Sequence, residues 1–389
     1  MKVAADRPIA LYTKTWMSGG TGLFAQELAA GMLDAGASVI FVAPPAQDVK
    51  FEVARSGLSR FRSRRENMHG SRPSRVMASI ARVASSAIGL ARARLRTRHF
   101  IISIPDPLIF AIPFLFVLRL LGAQIIYVVH DPLPHAWKLP VAFRWLEHGS
   151  FSLTYKLSQT LVVLSHSARE ALLSAYKISG KRVAVIEHGI FVLGMPTPAS
   201  GNGILLLFGT LRRNKGILEA IKATVEARAQ GASVRLVIAG SPDPVELTYW
   251  TACETLAREH PEAITLELGY VDDIRLQQLI NMSDAFLLPY REFHSQSGVA
   301  VLASSNARAA VASRAGGIGD LIAEGMAAVP IEEPAGVSAI TDAICTFARV
   351  PIADWNSRAT EFRASMIKRR NWPSIAADYL ALIQSTEPA

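Results

Sequence analysis

The stretch Ile204-Leu-Leu-Leu-Phe208-Gly-Thr-Leu-Arg-Arg-Asn-Lys-Gly216 runs from five apolar residues through a glycine into a basic loop, and a helical pattern follows from Gly216. A short, wholly apolar run is how a strand buried on both faces of a parallel sheet reads. In a doubly wound α/β domain ligands sit beyond the carboxyl ends of the strands, which places Arg212 and Lys215 to meet an anion. A diphosphate suits them. Arginine offers a planar fork to phosphate oxygens and lysine a mobile point charge, and together they can neutralise a leaving nucleoside diphosphate without a metal. A basic turn with no ligand would look the same locally, so its surroundings decide.

Downstream, the runs Val234 to Ala239, Ile264 to Leu268, Ala285 to Leu288 and Ala309 to Ser313 read as strands. Between them lie helical patterns through Tyr249 and Cys253, Leu276 to Met282 and Gly298 to Asn306. A second strand end, Leu288-Pro-Tyr-Arg-Glu-Phe-His-Ser-Gln-Ser-Gly-Val299, sets Ser295, Gln296, Ser297 and Gly298 at a helix N-terminus, where backbone N–H groups and the helix dipole favour a phosphate. Ordinary capping by Ser297 competes with that reading. A third glycine-rich loop, Ser313-Arg-Ala-Gly-Gly-Ile-Gly-Asp320, follows another strand.

Upstream, Pro196, Pro198, Ser200, Gly201 and Asn202 mark 194–203 as a linker. Before it the same alternation occurs. Ile9 to Thr13, Ser38 to Ala43, Phe100 to Ile104, Gln124 to His130, Leu161 to Leu164 and Val183 to Ile186 read as strands. Gly22 to Ala35, Val76 to Arg98, Phe143 to Ser158 and Ala168 to Tyr176 read as helices, the last capped by the Ser165-His-Ser167 turn. The expected fold is therefore α/β, with two Rossmann-like doubly wound domains facing a central cleft. The expected domains are 1–193 and 204–371, with the helical tail 372–389 packing back on the first.

The 389 residues suit two domains, and half of them are hydrophobic, enough for two cores. Cys253 and Cys345 lack metal spacing and read as buried thiols of a reducing compartment, so the cytoplasm is expected. No secretory signal pattern precedes Ile9. The apolar run from Pro107 to Leu121 is broken by Pro113 and Arg119 and is too short to span a bilayer, so it reads as a buried or interfacial helix. Twelve arginines between Arg55 and Arg98 face only Glu52 and Glu66, while the whole chain carries +9, so the remainder is near neutral. Such a block points to an anionic partner or to a solvated helix face.

The chain resembles the group 1 glycosyltransferases of GT-B architecture, the family 4 type, from Gly19 to about Ile322. The resemblance rests on Ser18-Gly-Gly-Thr-Gly22, Val128-Val-His-Asp131, Glu187-His-Gly-Ile190, the 209–216 loop, Gly269-Tyr-Val271, and the 289–298 segment with Ala315-Gly-Gly-Ile-Gly-Asp320. It implies that Arg212 and Lys215 grip a donor diphosphate and that Tyr270 and Val271 lie at the nucleobase. It further implies that Gly19 and Gly20 approach the phosphate and acceptor, that His130 touches the donor sugar, and that Tyr290, His294, Ser295, Gln296, Ser297 and Gly298 line the donor. Where the family places two glutamates with seven residues between them, this chain has His294 and Leu302. That variant resembles the β-mannosyltransferases of xanthan-type polysaccharide assembly, which invert, and it implies a lipid-diphosphate-linked acceptor. From their charge and hydropathy, the Arg55 to Arg98 region and the apolar Leu108 to Leu118 run are expected to dock on the inner face of the cytoplasmic membrane, where such an acceptor would be found.

An inverting transfer needs a base for the acceptor hydroxyl, and His130, Asp131 and Glu292 are the candidates. No Asp-x-Asp ends a strand, so neither metal nor other cofactor is expected beside the donor. A dehydrogenase is disfavoured because Gly19-Gly-Thr-Gly22 lacks the dinucleotide spacing and Ala43-Pro-Pro45 stands where an acidic residue belongs. Nucleic-acid binding is disfavoured because the arginine block lacks aromatic interleaving. A non-catalytic sugar-nucleotide-binding protein of an assembly complex remains the competing class.

Overall fold

The computed structural model describes residues 8–14, 20–45, 55–64, 71–104, 108–133 and 141–385. The chain divides into two compact units, Met1–Gly189 with Trp372–Ala389, and Ile190–Asn371. The division falls at Gly189, ahead of the proline-rich 194–203 stretch, because Ile190 already bonds within the second unit, its N–H donating to the Arg370 carbonyl at 3.0 Å.

The first unit holds seven parallel strands: β1 (Ile9–Thr13), β2 (Val39–Ala43), β3 (Leu58–Arg62), β4 (His99–Ile104), β5 (Gln124–Val129), β6 (Thr160–Val163) and β7 (Val183–Val185). Their order is β3-β2-β1-β4-β5-β6-β7, so the direction of winding reverses between β1 and β4. Right-handed crossovers then send α1 (Gly20–Asp34) to one face of the sheet, and α2 (Arg72–Arg94), α3 (Leu108–Leu120), α4 (Arg144–Leu157) and α5 (His166–Ala175) to the other. β1 is buried at every position, as a central strand covered on both faces must be. β3 is the strand of this unit missing from the sequence reading: Leu58-Ser-Arg-Phe-Arg62 has two arginines among its five residues and pairs on one side only, with β2.

The second unit has six parallel strands, β8 (Ile204–Phe208), β9 (Arg235–Gly240), β10 (Ile264–Leu268), β11 (Ala285–Leu288), β12 (Ala309–Ser313) and β13 (Ala328–Ile331), in the order β10-β9-β8-β11-β12-β13. Their helices are α6 (Ile217–Ala229), α7 (Leu247–Glu259), α8 (Asp273–Met282), α9 (Gly298–Ser305), α10 (Gly317–Ala323), α11 (Val337–Arg349) and α12 (Ile352–Arg370). The winding reverses between β8 and β11, the two strands whose following loops carry the singled-out residues. Topological switch points of this kind are where open α/β sheets bind ligands. The third glycine-rich loop turns at once into α10, and β13, α11 and α12 lie beyond the strands read from sequence.

A last helix, α13 (Trp372–Ser385), belongs to the first unit and packs on α1. The approach is close: a Cβ on Gly31 would stand 2.5 Å from the Trp372 carbonyl oxygen. Cys253 and Cys345 are both free and buried.

Candidate functional site

At the end of β8 the chain turns through Gly209, whose φ of +107° suits glycine. Its bare Cα leaves room for Lys215, since a Cβ there would stand 2.8 Å from the lysine Nζ. That ammonium donates to the Phe208 carbonyl at 2.8 Å and lies 5.6 Å from the centre of the Tyr290 ring. Burial pulls its pKa down to about 7, and neighbouring Arg212 adds to the shift. Two cations close together, one of them desolvated, form a site that a bound anion would relieve.

Arg212 is held from one side. Its Nε donates to Asp243 Oδ2 at 2.6 Å, and Asp243 Oδ1 accepts from the Val245 N–H at 2.9 Å. A carboxylate on Nε leaves the paired terminal nitrogens of the guanidinium as the edge that can fork onto an oxyanion. Arg213 points elsewhere, its guanidinium 4.6 Å over the Tyr249 ring and its backbone N–H on Glu246.

The β8 and β11 loops are tied together. The Arg291 N–H donates to the Asn214 carbonyl at 2.8 Å, and the Arg291 guanidinium pairs with Glu219 at 2.7 Å. Gly216 (φ +63°) leaves no space for a side chain, because a Cβ would approach the Pro289 oxygen to 2.3 Å. Tyr290 is buried behind Lys215, edge-on to Phe293, and burial pushes its phenol up. Asn214 Oδ1 and Gln296 Nε2 are buried without a hydrogen-bond partner. Both atoms stand in the two adjoining loops, where a polar ligand could supply a partner.

Ser297 uses its hydroxyl to cap α9, accepting from the Ala300 N–H at 3.2 Å, so the competing capping role is real. Ser295 is buried, and its carbonyl accepts from Gly317 N–H at 2.9 Å. Gly298 opens α9 with no atom within 4 Å of a would-be Cβ. His294 and Glu292 are exposed, and Glu292 has φ +50°, an unusual backbone for a residue with a side chain. Leu302, aligned with the second family glutamate, packs into the apolar core of the second unit instead. Two strands away, Gly269 (φ +120°) ends β10 with its N–H on the Gly240 carbonyl; Tyr270 beyond it is 58 % exposed and Val271 packs at the core edge.

In the first unit, Gly19 lies outside the described residues, and Gly20 is the first residue of α1. His130 follows β5, with its Nε2 2.9 Å from Ser103 Oγ at the end of neighbouring β4. Burial, offset in part by Asp131, pulls its pKa down to about 4, so the ring is neutral at pH 7. Phe24 of α1 is the hub of this region: its ring meets His130 at 5.0 Å, His188 at 5.4 Å and Trp372 at 5.4 Å, all edge-on or tilted. Gly189 is required beneath Trp372, whose ring would stand 2.6 Å from a Cβ. Asp131 is exposed.

Sequence reasoning missed Asp243, Ser103, Phe24 and Trp372. The first two sit on strand ends adjacent to singled-out ones, a relation readable only once strand order is known. Among the described residues no three His, Cys, Asp or Glu side chains gather at metal-ligating distance. Side chains of the arginine block meet different surroundings. Arg82 is buried, Arg94 donates to the Leu121 carbonyl, Arg55 pairs with Asp34 at 3.5 Å, and Arg96 lies 5.3 Å over the Phe61 ring.

Comparison with known proteins places both units. A model of group 1 glycosyl transferases matches 202–349, and one of glycosyltransferase family 4 matches 18–192, together most of the chain. Glycogen synthase of Mycobacterium tuberculosis is 26 % identical over 234 residues, 59 % of this chain and 55 % of that protein. The chain thus spans about half the length of the curated relatives it matches. Among solved structures, Anabaena Alr3699/HepE in complex with UDP and glucose aligns with a TM-score of 0.74 at 16 % identity, covering 97 % of this chain and 100 % of that one. Sucrose-phosphate synthase of Thermosynechococcus elongatus aligns with a TM-score of 0.74 at 16 % identity over 97 % and 98 %. At such identities these likenesses establish the GT-B fold.

Proposed function

We infer from the family to which this chain belongs, the group 1 glycosyltransferases of the family 4 type, that it transfers a hexose from a nucleotide-sugar, with the donor diphosphate at the ends of β8 and β11. The observation that carries this is the pairing of Arg212 with a desolvated Lys215 at the switch point of the second sheet. As the bond to the anomeric carbon breaks, negative charge grows on the departing nucleoside diphosphate. Preorganised cations there stabilise the transition state more than the ground state, so the transfer runs without a metal ion. Tyr270 and Val271 flank the base, and Gln296, Ser295 and the N-terminus of α9 take up sugar and phosphate oxygens, with Tyr290 supporting Lys215 from behind.

His130, neutral at pH 7, is suited to hydrogen-bonding a sugar hydroxyl through the imidazole. Asp131 takes the base role in an inverting transfer, with Glu292 outside the chemistry. The His294 variant, like that of the xanthan-type β-mannosyltransferases, favours GDP-mannose as donor and a lipid-diphosphate-linked oligosaccharide of bacterial polysaccharide assembly as acceptor. UDP-glucose is the alternative donor, favoured by the UDP and glucose held in the Anabaena structure. The enzyme then works in the cytoplasm, peripherally bound to the inner face of the membrane.

Thermal shift with GDP and UDP, followed by turnover of radiolabelled GDP-mannose and UDP-glucose, tests this reading. A nucleotide at a hundred times its Kd should stabilise by about 2.7 kcal/mol. Stabilisation without turnover of either donor would instead favour a non-catalytic sugar-nucleotide-binding protein.

A further inference from the structure

The helical layer over one face of the first sheet exposes apolar side chains as well as burying them. On α2 the residues turned to the sheet include Arg82 and Ser86, both buried, with Gly89, Leu90 and Ala93. The outward stripe, at three- and four-residue spacing, is Met77, Ile80, Ala84, Ile88, Ala91 and Leu95, all exposed. A water-facing helix places its polar residues the other way round. Apolar exposure continues beside it. α3, which packs on α2 and α4, turns Phe116, Val117, Leu120 and Leu121 outward, and the start of α4 exposes Trp145, at 68 %, with Phe143 just before it and Leu146 after. Of the 21 large hydrophobics exposed among the described residues, 13 lie on or next to these three helices. A patch of that extent on a soluble chain marks an interaction surface.

Its charge selects the partner. α2 and α3 contain no acidic residue, α4 contains Glu147 alone, and Arg75, Arg92, Arg96, Arg119 and Arg144 are exposed around the apolar stripes. α2 is long and apolar enough by length and composition to cross a bilayer, yet it lies on the sheet, so close that a Cβ on Gly89 would stand 2.8 Å from Val42 Cγ1. We propose that the outward face of α2, α3 and the start of α4 seats flat in the headgroup region of an anionic bilayer, with Trp145 and the α3 stripe inserted among acyl chains and the arginines on lipid phosphates. The seat is thus a ridge reaching beyond the arginine block to Trp145. It rests on the reading above only for which membrane is met.

Co-sedimentation of the full chain with phosphatidylglycerol–phosphatidylcholine vesicles, against phosphatidylcholine alone, tests it. Binding to the anionic vesicles at low salt is expected, together with a blue shift of tryptophan emission that Trp145→Phe abolishes. Ile80→Gln with Leu120→Gln should weaken binding by on the order of tenfold or more, and Arg92→Gln with Arg96→Gln by a similar factor that vanishes at high salt. Equal recovery on both vesicles, or full binding by the Ile80/Leu120 double variant, overturns the proposal. So does a concentration-dependent dimer, seen by analytical ultracentrifugation, that the same substitutions dissolve, since the ridge would then cover a second copy. Nucleoside-diphosphate thermal shift on each variant reports the second unit alone, so a failed membrane seat is distinguished from a failed donor site.

Discussion

The strand ends of the two sheets are opposites in charge economy. Beyond β8 and β11 two cations are held together with their neighbourhood unsatisfied, Lys215 desolvated toward neutrality and Arg212 gripped from behind by Asp243. Beyond β4 and β5 a histidine is packed against Phe24 until it can hardly hold a proton. One fold therefore carries a pair of cations beyond one sheet and a neutral imidazole beyond the other. The difference lies in what the helix-side neighbours contribute: a second cation in one case, an aromatic wall in the other.

The contrast breaks most visibly if the cations are removed. Arg212→Ala or Lys215→Ala should lower donor turnover by about 10²-fold, the scale of one preorganised electrostatic donor, in steady-state assays on protein with unchanged circular dichroism. Full turnover in both would sink the assignment. pH sharpens it next. A diphosphate binds the protonated lysine, whose pKa in the free protein is about 7, so affinity is full below pH 7 and falls as pH rises through that value, by up to about tenfold per unit. Titration calorimetry across that range should show the fall in the native protein and its absence in Lys215→Arg, whose side chain keeps its charge.

Asp243 carries a smaller effect. Its ion pair with Arg212 is partly exposed, and such pairs contribute about 0.2–1 kcal/mol, so Asp243→Ala should raise the donor KM by up to about fivefold with kcat less altered, and Asp243→Asn should keep part of the effect. Loss of kcat alone would show that the aspartate does more than orient a cation. The smallest change is expected at Arg213, which sits on Tyr249: Arg213→Ala should stay within about twofold of the native rate. A loss equal to that of Arg212→Ala would mean the wrong arginine has been assigned.

Much of this arrangement is legible in the residues. Ile204 to Phe208 reads as a central strand because all five side chains are apolar, and Lys215 and Ser297 fall where βα geometry puts ligand-facing residues. α11 was within reach, since Ile340, Ile344 and Phe347 repeat at helical spacing. α12 was not, being polar around most of its surface with only a narrow buried line. β3 hides because an edge strand with two arginines in five residues lacks the apolar signature of its neighbours. Asp243 sits in Pro242-Asp-Pro244, which reads as a plain turn, and its hold on Arg212 depends on β9 lying beside β8. Periodicity describes what a segment becomes, while partnership across strands depends on an order that no single segment carries.

The return of α13 to the first unit bears on how the chain is made. Residues 190–371 form an uninterrupted unit that can complete itself as soon as it leaves the ribosome. The first unit, although synthesised earlier, must wait: Phe24, His188 and Gly189 lack the wall that Trp372 provides, and α1 lacks the helix that closes over Gly31. Domains usually finish in the order of their synthesis. In this chain the order is inverted, and the half begun first is the last to be sealed.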